Sequence, residues 1–412
     1  YKMGQIENSF KQTRFGQDGL ACQIDDALLA ERLSGDNKRM TVLGLWGPPG
    51  TGKTTAAEAI AKALNRGYVK LNFGGASNAS IVKGQNKSVP NAGPSLLMRE
   101  LSRKSGTYSY VVNFDEFDKG TAESYEAFHE FLDPVSESYY DEYLECNIPK
   151  NNFIIILTFN DISRIPTPIL DRMRLITVPG YSLTMKKKIV KNMVLESYAE
   201  RLKVNNVSIT DTALDLLMRE YSVASGIRDV EKDIEKLLVR LIKKYNKYSD
   251  FCITEDIIRE VLGSKRTLGL SDMGNKAAVP GQAMALGVSG YIGSCIAVQV
   301  AEDPYQKAEV EVSGLLKDAC MESLSDAMSY ARRTLKKELP KLHISFRAPS
   351  IPKDGSSAGV AMYMAVMSCV LNKKLEGCAF TGSIDAFGNV GIVSVEEKLC
   401  AAEREGIARV YI

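Results

Sequence analysis

Residues 47–54, Gly-Pro-Pro-Gly-Thr-Gly-Lys-Thr, fit the spacing G-x-x-x-x-G-K-[ST]. The apolar run Val42–Trp46 leads into them and a helix-like stretch starts at Thr54, the strand–loop–helix context that this pattern requires. Gly47, Pro48, Pro49, Gly50, Thr51, Gly52, Lys53 and Thr54 are therefore expected to wrap a polyphosphate. Glycines let the backbone approach closely, and free N–H groups and the helix dipole point at the anion. Lys53 should reach the outer phosphates and Thr54 should ligate magnesium, so ATP and Mg2+ are the expected ligands, with hydrolysis to follow.

Outward from this loop, residues 41–178 alternate short apolar strands with helical patterns. The expected strands are Val42–Trp46, Tyr68–Phe73, Tyr108–Phe114, Phe153–Thr158 and Leu175–Val178; Thr54–Leu64 and Ala92–Lys104 read as helices. Charge-poor strands rich in branched and aromatic residues, separated by helices, predict a parallel sheet covered on both faces. The strand ending Phe114-Asp115-Glu116 delivers two carboxylates to the sheet edge where α/β ligands bind. Asp115 suits a magnesium ligand and Glu116 suits polarising an attacking water. Asn160, after the next strand, can orient that water. Arg172 and Arg228 carry the guanidinium chemistry that stabilises a transferring phosphoryl group, although composition alone favours surface ion pairs.

Charge sets limits on partners. Fifty-two basic against fifty acidic residues leave a net charge of +2, with no broad footprint for nucleic acid or an anionic membrane. The basic runs Lys186–Lys188 and Arg332–Arg333 read as solvated helix faces. Eight scattered cysteines without a C-x-x-C pair argue against a disulfide or zinc framework and for a reducing compartment. No apolar stretch approaches the ~20 residues of a membrane span. The chain opens on Tyr1 rather than Met, as a piece of a longer protein would.

Beyond Leu183 helical periodicity dominates: Ile227, Val230, Ile234, Leu237 and Leu241 form one stripe at spacings of three and four. Residues 264–280 lack a period and read as a linker. A second mixed domain follows, with a strand at Ile292–Val300, a helix at Leu315–Leu339, a strand at Leu342–Phe346, an apolar helix at Ser357–Leu371, then short strands and a final helix. Ser357 stands where the apolar helix begins, a place that favours a developing alkoxide or oxyanion and equally suits a capping serine. The two histidines, His129 and His343, make no Ser-His-Asp pattern, so a lysine base is considered. In Val395–Ala402, Val395, Leu399 and Ala402 are expected on the inner stripe of a helix, with Lys398 on that side. Burial there would lower its pKa, although spacing alone also suits a snorkelling lysine.

Taken together in this order, the features resemble the AAA+ ATPases, and their details resemble the Lon protease family. The carriers are Ile165–Tyr181 (Ile-Pro-Thr-Pro-Ile-Leu-Asp-Arg-Met-Arg), Phe131–Pro134, Ala224–Glu231, Pro352–Gly359 and Glu397–Ala402. The resemblance implies an α/β fold: an AAA+ P-loop parallel-sheet domain with an all-helical lid, followed by an α+β Lon-type protease domain. The corresponding boundaries are 1–181, 182–263, a linker at 264–280, and 281–412. It implies that Asp115 and Glu116 are the Walker B pair, Asn160 the first sensor, Arg172 a finger acting on a neighbouring subunit's ATP, and Arg228 the lid sensor. It assigns Ser357 as nucleophile, Lys398 as its base and Thr381, in Phe380-Thr-Gly382, as support for the dyad.

The implied function is an ATP-dependent serine endopeptidase that unfolds and degrades misfolded or regulatory proteins in a hexameric ring, in the cytoplasm or a mitochondrial matrix. Two departures accompany it. Val89 and Pro90 occupy the loop Gly84–Gly93 where the family carries an aromatic–aliphatic pair, and Ile392-Val-Ser-Val-Glu396 replaces a glycine pair before the lysine motif. The first favours the alternative of a remodelling or chaperone ATPase with weak or absent proteolysis. A nucleic-acid motor finds no support in the balanced charge.

Overall fold

The computed structural model describes residues 4–13, 17–33, 40–75, 79–104, 107–204, 206–222, 224, 226–245, 250–264, 279–289, 292–314, 316–347, 355–391 and 395–412. Most of the expected linker, together with 352–354 of the serine segment and 392–394 before the lysine motif, lies outside them. The chain divides into two units, Tyr1–Gly180 and Tyr181–Ile412.

The first unit begins with helices α1 (Gln5–Thr13) and α2 (Asp18–Leu33), which the sequence reading did not single out. Then follow β1 (Thr41–Trp46), α3 (Lys53–Ala63), β2 (Gly67–Asn72), α4 (Leu96–Ser102), β3 (Tyr110–Asp115) and α5 (Ala122–Phe131). A hairpin of β4 (Ser138–Asp141) and β5 (Cys146–Pro149) precedes β6 (Phe153–Phe159), α6 (Thr167–Leu170) and β7 (Arg174–Thr177). Five strands form one sheet in the order β2-β3-β6-β1-β7. Every pairing in it is parallel. All seven residues of β6 are buried, as a strand covered on both faces must be. Leu43, Leu45, Ile154 and Ile156 pack towards α3 and the N-terminal helices, while Val112, Phe114, Ile155 and Leu157 face an aromatic cluster built on Phe73, Phe117 and Phe128. This order sets β1 and β3 on either side of β6, so the loops after these three strands open on one sheet edge.

The second unit starts with α7 (Leu183–Ile189) and α8 (Leu195–Leu202), continuous through a wider π turn at Val190–Val194. Next come β8 (Val207–Ile209), α9 (Asp211–Leu216), α10 (Arg228–Lys244), β9 (Phe251–Ile253) and α11 (Glu255–Leu262). The expected stripe on α10 is buried from Ile227 to Leu241. The helical region is not purely helical, since β8 and β9 pair in parallel. A mixed sheet follows, built from β10 (Gln282–Ser289), β11 (Ile292–Glu302), β12 (Val310–Ser313), β13 (Leu342–Phe346), β14 (Cys378–Phe380) and, later in the chain, Arg409–Tyr411. Helices α12 (Asp318–Leu335) and α13 (Gly359–Val370) pack against it through Leu324, Ala327, Met362 and Val366. A small hairpin of β15 (Ser383–Ile384) and β16 (Val390–Gly391) leads to α14 (Glu396–Arg404). The expected final helix is not the last element. Strand β17, Arg409–Tyr411, follows it and pairs in parallel with β14, taking a sheet edge that local pattern does not reveal.

Candidate functional site

Three adjacent strand ends build the first site. Gly47 leaves β1 at φ 150°, where a Cβ would lie 2.1 Å from the Val178 carbonyl oxygen, so only glycine fits. Gly50 and Gly52 take positive φ, turning successive N–H groups inward before α3 begins at Lys53. The loop is braced from within: Thr51 Oγ1 donates to Pro48 O (2.9 Å) and Gln17 Nε2 donates to Thr51 O (2.9 Å). Lys53 is buried, and Nζ donates to Gly47 O, Pro48 O and Asn160 Oδ1 at 2.7–2.8 Å. The ammonium thus joins the loop after β1 to the amide after β6.

Asp115 ends β3 beside this cation. It accepts from Thr54 Oγ1 (3.1 and 3.2 Å to its two oxygens) and from Thr158 Oγ1 (2.6 Å), and Lys70 Nζ lies 2.7 Å from Oδ2. Burial pushes this carboxyl upward, but the Lys70 ammonium and the two hydroxyls outweigh it and hold it below the usual carboxylate value. A hydroxyl and a carboxylate converging on one point form the hard oxygen set that suits magnesium. Glu116 follows in the left-handed region at φ 56°, its Oε1 2.7 Å from Lys119 Nζ. Asp118, which the sequence reading missed, accepts from the backbone N–H groups of Asn160 (3.2 Å) and Asp161 (3.1 Å), tying the turn after β3 to the end of β6.

The two arginines belong to different units. Arg172 Nη1 donates to His129 O at 2.7 Å, on the last turn of α5. Arg228 is exposed at the start of α10 and belongs to the second unit. In the loop Gly84–Gly93, Val89 is 47% exposed and Pro90 is exposed beside it. Buried Asp141 holds the base of that loop, accepting from Ser95 N–H at 2.9 Å, and Lys87 reaches Glu145 of the β4–β5 turn at 3.0 Å.

The second site lies where α13, β14 and α14 meet. Ser357 sits in a 3-10 turn, Ser356–Ala358, one residue before α13. That turn is strapped to the chain after β14: Gly382 N–H donates to Ser357 O (2.9 Å) and Val360 N–H donates to Gly382 O (3.1 Å). Gly359 permits the approach, since a Cβ there would stand 2.4 Å from Ser323 Oγ. Lys398 is 4% exposed, and its Nζ donates to the fully buried Thr381 Oγ1 at 2.9 Å. Thr381 Oγ1 in turn lies 3.4 Å from Ser357 O. Burial lowers the Lys398 pKa and Glu397 opposes the shift only in part. Among the described residues no hydrogen bond joins Ser357 to Lys398; the lysine meets the serine turn through Thr381.

Two expectations need correction here. Leu399 is 41% exposed rather than on the inner stripe of α14, which consists of Lys398, Ala401 and Ala402. The helix is rotated so that its smallest residues abut β11, where Gly293 has room only for a hydrogen: a Cβ would stand 1.9 Å from Glu397 O. Lys186 is 5% exposed rather than solvated, donating to Ser222 Oγ (2.9 Å) and to Ala224 O. Its neighbours Lys187 and Lys191 meet Asp215 and Asp211. The outer face of α14 meets α7, where Glu403 accepts from Leu183 N–H and Thr184 Oγ1, both at 3.4 Å.

With this geometry in place, known proteins give a consistent picture. Residues 43–180 match the model of ATPases associated with various cellular activities, and residues 252–412 match that of the Lon protease (S16) C-terminal proteolytic domain. The Lon protease of Mycolicibacterium smegmatis is 31% identical over 414 residues, covering 96% of this chain and 52% of the relative. That of Clostridium beijerinckii is 31% identical over 423 residues, covering 97% and 52%. Lon protease 2 of Myxococcus xanthus is 30% identical over 429 residues, covering 99% and 51%. The chain spans about half the length of the curated relatives it matches.

Proposed function

The chain belongs to the Lon protease family, and from that premise we propose that it is an ATP-dependent serine endopeptidase working as a homohexameric ring on unfolded or misfolded proteins. The observation that carries the reading is the pairing, in one chain, of a braced P-loop with a buried lysine whose amine meets the serine turn through Thr381. The nucleotide-binding domain is taken as 1–181, the lid as 182–263, the linker as 264–280 and the protease domain as 281–412.

In the first unit the N–H groups of 50–54 and the Lys53 ammonium bind the phosphates, Asn160 and Glu116 hold the attacking water, and Arg172 acts on a neighbouring subunit's ATP. Thr54 and Asp115 would hold Mg2+, whose charge neutralises that developing on the phosphates. Arg228 senses the nucleotide from the lid. Lys119 must release Glu116 for the water to be polarised.

In the second unit Lys398, its ammonium disfavoured by burial, takes the proton of Ser357 Oγ–H as Oγ bonds to the peptide carbonyl carbon. The C–N bond breaks as the Lys398 ammonium returns the proton to the leaving amine, giving an acyl-enzyme. Water then attacks the ester carbon, losing a proton to Lys398; the C–Oγ bond breaks as the Lys398 ammonium returns that proton to Ser357 Oγ, and the acid product leaves. Lys398 Nζ has to turn from Thr381 towards Oγ for the first step, and Thr381 keeps the amine beside the serine turn meanwhile. A reducing cytoplasm suits the free cysteines.

The second reading, a remodelling ATPase with weak proteolysis, draws on Val89 and Pro90 at the exposed loop and on the missing direct Ser357–Lys398 bond. One experiment separates them. Ser357→Ala is expected to abolish cleavage of an unfolded fluorescent protein while ATP turnover stays within about twofold, because the P-loop and its carboxylates lie in the other unit. Parental cleavage by Ser357→Ala refutes the serine protease. Parental protein that remodels substrate without cutting it supports the second reading.

A further inference from the structure

Lys150, between β5 and β6, is 1% exposed. Burying an ammonium is costly unless its donors are satisfied, and here Nζ donates to Phe131 O (3.0 Å) and Asp133 O (2.9 Å). These acceptors end α5, the helix on which Arg172 rests. Carbonyl by carbonyl, Phe128 O accepts from Leu132 N–H and Glu130 O from Asp133 N–H; His129 O takes Arg172, and Phe131 O and Asp133 O take Lys150. Two cations therefore complete one helix C-terminus, the end whose partial negative charge attracts them. The lysine's own backbone is fixed: its N–H donates to Glu137 O (2.9 Å), and its carbonyl accepts from Phe153 N–H (3.1 Å) at the start of β6. Burial lowers its pKa; the Asp133 carboxylate opposes that shift and the nearby Arg172 adds to it.

We propose that Lys150 is the positioning residue for Arg172. By holding Phe131 O and Asp133 O it locks the last turn of α5 to the first residues of β6. His129 O then presents the guanidinium in one place, poised to exchange that single carbonyl for a phosphate of the neighbouring subunit. Arg172 contributes one hydrogen bond to the helix end and Lys150 contributes two, so Arg172 can leave without the turn unravelling. The inference rests on the reading of Arg172 as acting in trans.

Mixed rings test it, with a minority of parental subunits among an excess of subunits that cannot turn over their own ATP because of Lys53→Ala. With Lys53→Ala alone, parental subunits keep turning over ATP, since their neighbours supply Arg172. Adding Arg172→Ala to the excess subunits should abolish that turnover; if it does not, the trans reading of Arg172 fails. Adding Lys150→Met instead should lower kcat of the parental subunits about 10- to 100-fold, the range for a misplaced group, at unchanged KM for ATP. Lys150→Arg, which can donate to both carbonyls, should restore it. Loss with Arg172→Ala but parental turnover with Lys150→Met overturns the assignment of Lys150. So does a rise in KM without a fall in kcat. Should Lys150→Met fail to assemble, Lys150→Gln, with an amide that reaches one of the carbonyls, carries the test with the same expected neighbour-specific loss.

Discussion

Replacing Thr381 by valine swaps one hydroxyl for a methyl in a site with no access to solvent. The hydroxyl makes one short bond, from Lys398 Nζ at 2.9 Å, and two long ones, to Ser357 O at 3.4 Å and Leu286 O at 3.5 Å. A hydroxyl has a single proton, so it serves only one of those two carbonyls at a time, and the bond from the lysine is the principal loss. Leaving a buried amine without its acceptor costs about 1–3 kcal/mol. If that cost falls on the transition state, kcat/KM for a fluorogenic peptide drops about 5- to 150-fold. The pH profile gives a sharper readout. In the proposed mechanism Lys398 is a base only when neutral, so peptidase activity should rise as pH passes its folded-state pKa, which burial already lowers. An acceptor favours the ammonium; removing it lowers the pKa further and moves the ascending limb to more acidic pH. Thr381→Ser keeps the hydroxyl and should stay close to the parental rate and profile, while ATP turnover remains within about twofold in both variants. Thr381→Val with parental kcat/KM, or with a limb that moves to alkaline pH, would refute the role assigned to Thr381.

Two further changes probe the framework. Glu116→Gln removes the proposed general base while keeping the shape, so ATP should bind at parental affinity but turn over about 10²- to 10⁴-fold more slowly; single-turnover kinetics at the parental rate would remove Glu116 from that role. Gly293→Ala places a methyl 1.9 Å from Glu397 O, next to Lys398. We expect about 1–3 kcal/mol of destabilisation from overpacking, seen as a lower thermal midpoint of the protease domain, with peptidase activity falling and ATP turnover retained. Parental peptidase activity in that variant would show that the seating of α14 on β11 does not set the lysine.

Much of the nucleotide site was legible because its chemistry is local. An apolar strand, a glycine-rich turn and a helix follow one another within residues 41–63, and two carboxylates directly follow another apolar strand, so strand register alone brings them to one edge. Asn160 was placed only as the residue after the next strand; that β6 lies between β1 and β3, which brings it to Lys53, came from the fold. The protease site was less legible. A serine before an apolar helix and a lysine on a short helix have several ordinary readings, and the resemblance to a family, rather than periodicity, selected these two.

Errors arose where side chains meet over long sequence distances. Leu399 is more apolar than Ala401, yet it is the leucine that faces out, because the close approach of α14 to Gly293 admits only small residues. Lys186 and Lys150 look like surface charges, and nothing in their neighbours distinguishes them from Lys187 or Lys119; their burial depends on carbonyls supplied from 38 and 17–19 residues away. Strand β17 could not be placed because its partner, β14, lies on the other side of α14 in the chain.

The sequence by itself determined the phosphate loop, its carboxylates and the class of sheet that carries them, since short-range sterics, hydrogen bonding and continuous apolar strand runs act within a few residues. Only the tertiary structure decided that Lys398 rests on Thr381, that Arg172 is held at the end of α5, and that Lys150 completes that end. Each depends on whether a charged group finds acceptors after water is excluded, a balance set by the packed fold and by no local stretch of chain.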